Sequence, residues 1–222
     1  AAARDSYAAR CGIDPDRVRV SLNGLDHDAY SPDPRVEREG DHIVTLASAD
    51  VPIKGLDVLI DALARLKQRG RRPRLTVIGS LREGPAKRAL ERSGLMDQVT
   101  FRSGLSNGDL VELYRRASVF VSASRFEGFG LPAAEAMATG APVIVSDGGA
   151  LPEVAGEAGI VVPAGRPEPL ADALDRVLGD DALRAAMGRA SRERARAAFR
   201  WDAHAAAAIA LYHEALEARA PA

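Results

Sequence analysis

Short apolar runs along this chain alternate with longer stretches whose apolar residues recur every three or four positions. Residues 43–47 (IVTLA) form a β-branched run of the kind that fills a strand buried on both faces. In residues 55–69, Leu56, Leu59, Ile60, Leu63 and Leu66 fall on one helical face. RRPRLTVIGS predicts a second strand that ends at Gly79, and 83–93 a helix. QVTFRSG predicts a third strand, followed by a helix over NGDLVELYRRA with Asn107 as its candidate N-cap. SVFVSAS, APVIVSDGG and AGIVVPAG predict strands four to six, with a short helix at 131–139 between the first two. The stretches 167–178, 180–199 and 201–219, rich in Ala, Leu and Arg, read as helices.

Strand and helix alternating through short connections predict an α/β fold. It is a Rossmann-like parallel six-stranded sheet with helices on both faces. Ligands of such sheets bind beyond the carboxyl ends of the strands, near the point where strand order reverses. The first 40 residues differ. They hold a helix tail, one predicted strand (Val18–Leu22), then NG and a Pro/Asp-rich linker. A lone helix and strand bury no core, so residues 1–40 read as the last pieces of a preceding domain plus a linker. Residues 41–200 then form the main domain, and 201–222 a terminal helix. The opening AAARDSYAARCGIDPD reads like the interior of a longer protein.

Composition narrows the function classes. The chain has 222 residues, with 30 Lys+Arg against 31 Asp+Glu, a formal charge of −1. No field of either sign favours nucleic acid or an acidic membrane. The lone Cys11 forms no internal disulfide, and no metal-type Cys/His cluster stands in the sequence. No apolar run is long enough to span a bilayer and no signal peptide is visible, so a reducing, cytoplasmic setting is expected.

Chemistry concentrates in SRFEGFGLPAAEAMATGAPV, residues 124–143. Glu127 and Glu135 stand there with seven residues between them, framed by glycines. Pro132 suits the first turn of a helix, which leaves 127–131 as the loop at a strand's carboxyl end. Gly128 and Gly130 let backbone approach a ligand, and the free N–H groups of the helix start suit an anion. Glu135 lies one turn into that helix, and both acids can face one crevice. A carboxylate accepts through two oxygens and suits a vicinal diol; two carboxylates suit a ribose and a hexose of one nucleotide sugar. The plain alternative makes Glu135 a solvated helix acid and Glu127 a surface acid.

EGFGLPAAEAMATGAPVIVSDGGALPEV resembles the signature of glycosyltransferase family 4 (glycosyl transferases group 1), whose members have two Rossmann-like domains, the GT-B fold. SLNGLD, PIKGLDVLIDALARL, LTVIGS and FRWDAHAAAAIALYHEAL follow the same family's order. The resemblance runs from about Val18 onward and implies the carboxy-terminal, donor-binding domain. It implies that Glu127 holds hydroxyls of the donor sugar and that the backbone of Gly128, Phe129, Gly130 and Leu131 lines sugar and phosphate. Glu135 takes the ribose hydroxyls, and Lys54 neutralises the diphosphate. Glu127 and Lys54 are the expected catalytic residues, because a fixed ammonium and helix N–H groups stabilise a leaving diphosphate without a metal. Gly79 and the strand end at Arg102 and Ser103 are further donor-site candidates. No cofactor is expected.

The implied reaction is retaining transfer of a hexose from a nucleoside diphosphate sugar. The acceptor (a sugar, a lipid or a small molecule) would bind on the amino-terminal domain, and these residues alone would transfer nothing. Peripheral membrane association of the whole protein is compatible with such acceptors. The resemblance also implies that 201–219 packs on the amino-terminal domain. The apolar stripe Ile209, Leu211, Tyr212 and Leu216 then predicts self-association of this chain alone. One departure stands out: an arginine common before the lysine is absent, and Ser48, Ala49 and Asp50 occupy its place.

Other residues rank lower. Glu153 reads as a helix-capping acid. Trp201 reads as a packing anchor, and His27, His42, His204 and His213 as solvated histidines. Arg184, Arg189, Arg192, Arg194 and Arg196 read as a solvated face. Rival functions are a GT-B epimerase and a non-catalytic nucleotide-sugar-binding module. A phosphorylase lacks its pyridoxal-lysine pattern, and a dehydrogenase lacks G-x-G-x-x-G after the first strand.

Overall fold

The computed structural model describes residues 2–47 and 51–217. Six strands form one sheet: β1 (His42–Leu46), β2 (Arg74–Ile78), β3 (Val99–Arg102), β4 (Val119–Ser122), β5 (Val143–Ser146) and β6 (Ile160–Val162). Their order is β3-β2-β1-β4-β5-β6, and every neighbouring pair is parallel. The fold is thus α/β and Rossmann-like, with its order reversing between β1 and β4.

Alternation explains why the strands read as continuous apolar runs. Ile43, Leu75, Val77, Val119, Val121 and Ile144 join one core, and Val44, Phe120, Val143 and Val145 the other. The first core is closed by α2 (Leu56–Gln68), α3 (Pro85–Ser93) and α7 (Pro167–Leu178). The second is closed by α4 (Asn107–Arg116), α5 (Leu131–Ala138) and α6 (Leu151–Ala155). Helix α8 (Asp181–Ala198) reaches both, through Met187 on one side and Ala195 on the other.

Several local expectations change. No strand forms over residues 18–22, which have no sheet partner after α1 (Ala2–Cys11) and a 3-10 turn. The linker does more than connect: Leu25 and Tyr30 are buried in the second core. The Arg38 guanidinium donates to the carbonyls of Tyr114, Arg115, Ala117 and Thr139, where α4 and α5 end. Helix α4 is capped by Ser106 in a reciprocal capping box with Asp109, so Asn107 is its first helical residue.

The arginines of α8 are not all a solvated face. Arg192 donates to the carbonyls of Tyr30 and Ala138, Arg194 to those of Val154 and Glu153, and Arg184 to those of Val177 and Leu178. Only Arg189 and Arg196 of the five are exposed. His42 is buried, its Nε2 2.9 Å from Thr76 Oγ1 and its Nδ1 3.2 Å from Glu39 Oε2. His27 Nε2 bonds the Phe199 carbonyl at 2.8 Å, and His204 Nδ1 lies 2.9 Å from Ser21 Oγ.

Helix α9 (Trp201–Glu217) buries none of its residues. Trp201, Ile209, Leu211, Tyr212 and Leu216 are all exposed, although Trp201 packs over Gly24. Among the described residues, no helix is long and apolar enough to cross a membrane.

Candidate functional site

The loops after β1 and β4 leave adjacent strands at the switch point, and they are tied together. Arg125 N donates to Ile53 O at 2.7 Å. The Arg125 guanidinium also reaches Pro52 O and grips Asp57 at 3.1 and 2.8 Å. Burial pushes the Asp57 carboxyl up, but the Arg125 bonds outweigh it and hold it below the usual range. Gly55, left-handed at φ 64°, lies so close that a Cβ there would stand 2.0 Å from Ala123 O. Only glycine permits that approach.

This contact sets the site. Lys54 ends a 3-10 turn immediately before Gly55, and Glu127 lies in the loop after β4. Lys54 Nζ donates to Glu127 Oε2 at 2.7 Å, and Ser124 Oγ donates to the same oxygen at 3.2 Å. Both partners are partly exposed, at 29% for Lys54 and 20% for Glu127. The pair therefore stands at a surface a ligand can reach.

The loop after β5 supports Glu127 from the other side. Ala150 N donates to Glu127 O at 2.9 Å, and Ser146 Oγ donates to Ser124 O. Gly149, at φ 70°, would place a Cβ 2.3 Å from Glu127 O.

The remaining predicted residues spread around this pair. Gly128 is exposed, with open space where a Cβ would project. Phe129 turns its ring inward, edge-on to Phe199 at 5.7 Å, so only its backbone is free to line a ligand. Gly130 caps α5 in the left-handed region, and Leu131 is exposed at the helix start. Gly79 N donates to Arg102 O at 2.8 Å, and Arg102 and Ser103 are exposed. The ends of β1, β2 and β3 thus present Lys54, Gly79, and Arg102 with Ser103 along one edge of the sheet. Ser48, Ala49 and Asp50, where the resemblance places an arginine, lie outside the described residues.

Glu135 has other company. Its Oε2 accepts from Tyr114 OH at 3.4 Å, and the Tyr30 hydroxyl stands beside it. Tyr30 OH lies 3.1 Å from Asn107 Oδ1. Burial pushes the Glu135 carboxyl up, against the two phenols, which hold it down. Burial, then the Glu135 charge, pushes the Tyr30 phenol up to about 12 and the Tyr114 phenol well above its usual value. The structure brings Lys54 to Glu127, and the contacts of Glu135 are to tyrosines instead. Tyr30, Tyr114, Asn107, Ser124 and Arg125 were not singled out by sequence reasoning as site residues. Ser124 and Arg125 open the 124–143 stretch; Tyr30 and Tyr114 come near Glu135, and Asn107 near Tyr30, only through the fold.

Two clefts are relevant. One of about 330 Å3 lies beside the Gly128–Phe129 backbone and is bordered by Arg4, Tyr7, Ser21 and Glu153. Another of about 660 Å3 lies where α5 and α8 meet, near Arg38, Gly140 and Gly188, and contains no predicted site residue. Glu153 sits in the first turn of α6.

The model of the family described as glycosyl transferases group 1 matches residues 31–194. The chain is 37% identical over 209 residues to the MMP α-(1→4)-mannosyltransferase of Mycolicibacterium hassiacum, covering 92% of this chain and 50% of that protein. It is 35% identical to a D-inositol 3-phosphate glycosyltransferase of Corynebacterium glutamicum, with 91% and 53% covered. The chain spans about half the length of these curated relatives. Sucrose-phosphate synthase from Thermosynechococcus elongatus superposes with a TM-score of 0.80 at 28% identity, over 97% of this chain and 57% of that one. HepE from Anabaena, solved with UDP and glucose, superposes at 0.81 with 20% identity over 95% and 60%, a likeness of fold alone.

Proposed function

Because the chain belongs to the glycosyl transferases group 1 family, we propose that it is the donor-binding part of a glycosyltransferase. It takes a nucleoside diphosphate hexose, and the acceptor site is completed by the rest of the protein. The observation that carries this reading is the Lys54–Glu127 pair at the switch point. The relatives named as mannosyl- and inositol-phosphate glycosyltransferases support sugar transfer.

In this reading the diphosphate competes with Glu127 for the Lys54 ammonium. Lys54 then faces the group on which negative charge grows as the glycosidic bond breaks, so its attraction is strongest in the transition state. Glu127, released from Lys54, accepts from hydroxyls of the hexose, and the Gly128 backbone leaves room for the ring. The Leu131 end of α5 adds the positive end of a helix dipole near the phosphates. Glu135 takes the ribose diol. Transfer is retaining and needs no metal or cofactor of the protein. Among the described residues, Cys11 is exposed and free, which suits a cytoplasmic protein.

A thermal-shift screen of this chain against UDP, GDP, ADP and their hexose conjugates tests the proposal. Ligands that bind only the folded state raise its melting temperature by mass action. The expected result is a rise with one nucleotide class that Glu135→Ala abolishes. A rise untouched by Glu135→Ala would overturn the ribose assignment, and no rise with any nucleotide would favour a module without donor affinity.

A further inference from the structure

The polar side chains near Glu135 come from two separate stretches of chain, the linker and α4. Tyr30 arrives from the linker, Tyr114 from the last turns of α4, and Asn107 from its first residue. Tyr114 is fully buried and held edge-on against Phe120 at 5.5 Å, so its hydroxyl has no freedom to swing away. Tyr30 is almost as deeply buried, and its backbone carbonyl is tied down by Arg192. Tyr114 therefore bonds the Glu135 carboxylate directly, and Tyr30, whose hydroxyl is held by Asn107, flanks it.

Such an arrangement is costly unless something needs it. A half-buried carboxylate loses solvation, and a charged acceptor recovers it best from well-aligned hydroxyl donors. A phenol has a single proton. Tyr30 donates its proton to Asn107 Oδ1 at 3.1 Å, so Asn107 holds the Tyr30 hydroxyl in place while Tyr114 donates to Glu135. Because Ser106 caps α4, Asn107 is left to hold that hydroxyl.

We propose that Tyr30, Tyr114 and Asn107 are positioning residues that aim Glu135 at the ribose diol, and so make the chain prefer ribonucleoside over 2′-deoxyribonucleoside diphosphates. This rests on the reading of Glu135 as the ribose ligand. Half-buried and held beside the phenols, Glu135 is a fixed acceptor. A fixed acceptor rewards a ligand that supplies both hydroxyls and leaves a buried polar group unpaired when one is missing. A loosely held carboxylate would follow whichever hydroxyl remained and discriminate little.

Calorimetry with UDP, GDP and their 2′-deoxy counterparts tests this on the wild-type chain and on Glu135→Gln, Tyr30→Phe and Tyr114→Phe. Each tyrosine variant removes only a hydroxyl, and a melting curve for each verifies folding; if one fails to fold, the other carries the test. The readout is the ratio of ribo to deoxy affinity, which a purely structural role of the phenols would not move. The wild-type ratio is expected to be about tenfold or more, as loss of a hydrogen bond to a charged group implies. It should fall to within about threefold in Glu135→Gln and in the folded tyrosine variants. If Glu135→Gln collapses the ratio while the tyrosine variants keep it, the positioning role is wrong and the ribose assignment stands. If Glu135→Gln leaves the ratio unchanged, or the wild type binds neither form, the ribose reading fails and the proposal with it.

Discussion

Lys54 Nζ donates a 2.7 Å hydrogen bond to Glu127 Oε2 across the two strands at which the sheet reverses its order. The cation and the acid are 73 positions apart in sequence and meet because Gly55 lets their loops close on each other. Each neutralises the other, so an anion that claims Lys54 frees Glu127 to accept hydroxyls. Under the proposed function, engagement of phosphate and engagement of sugar are therefore coupled through one bond.

That coupling makes Glu127→Ala informative. The variant is expected to lose most of the extra affinity that the hexose adds to the nucleotide, about tenfold. Affinity for the bare nucleoside diphosphate should hold or rise by up to about fivefold, because a partly exposed ion pair no longer competes for Lys54. Titration calorimetry with a nucleotide and its hexose conjugate reads both. A loss that is equal for the two ligands would contradict the coupling.

The loop contact itself is open to a stability test. Gly55→Ala must shed a left-handed backbone conformation and a Cβ placed 2.0 Å from Ala123 O. The expected cost is about 2 kcal/mol or more in chemical denaturation. Gly108→Ala, in α4 with nothing nearer than 3.8 Å and an ordinary φ, should instead be neutral or gain up to about 1 kcal/mol. Equal effects at both positions would argue against the tight β1–β4 approach.

A third expectation concerns acid stability. Burial lowers the pKa of His42, against Glu39, which raises it, while Arg74 lowers it further. Unfolded, the imidazole takes a proton near about pH 6.5. The folded protein takes it only at lower pH, so between those values the unfolded state binds more protons. Stability is thus full above about pH 6.5 and falls as the pH drops from there through the folded value. Denaturation midpoints of His42→Gln should lose less over that window than those of wild type. Parallel curves would show that His42 does not titrate as its burial implies.

Much of this architecture was legible in the chain. Runs such as IVTLA and SVFVSAS are apolar at successive positions because both faces of their strands are covered, and helices such as 167–178 carry one apolar face. Strand ends came out one to three residues shorter than the runs that predicted them, since pairing stops where the chain turns into the site loops. The VRVSL segment looked like a strand because β-propensity is local, whereas a strand needs a neighbour, and none pairs with it. Arginine periodicity on α8 could not show that Arg192 and Arg194 reach carbonyls of other elements.

The site was legible to a similar depth. Glu127 and Glu135 announce themselves by spacing and by the glycines around them. Lys54 is an ordinary lysine until β1 and β4 become neighbours. Tyr30 and Tyr114 carry no local signal, because what makes them partners of Glu135 is the packing of the linker and α4 against α5.

The central claim is that the diphosphate of a nucleotide-sugar donor is held at Lys54, and calorimetric titration of wild type and Lys54→Met with UDP and GDP tests it most directly. The expected result is binding of one nucleotide by wild type and a loss of at least about tenfold in the variant, with its melting temperature little changed. Equal affinity in the two proteins would contradict the claim.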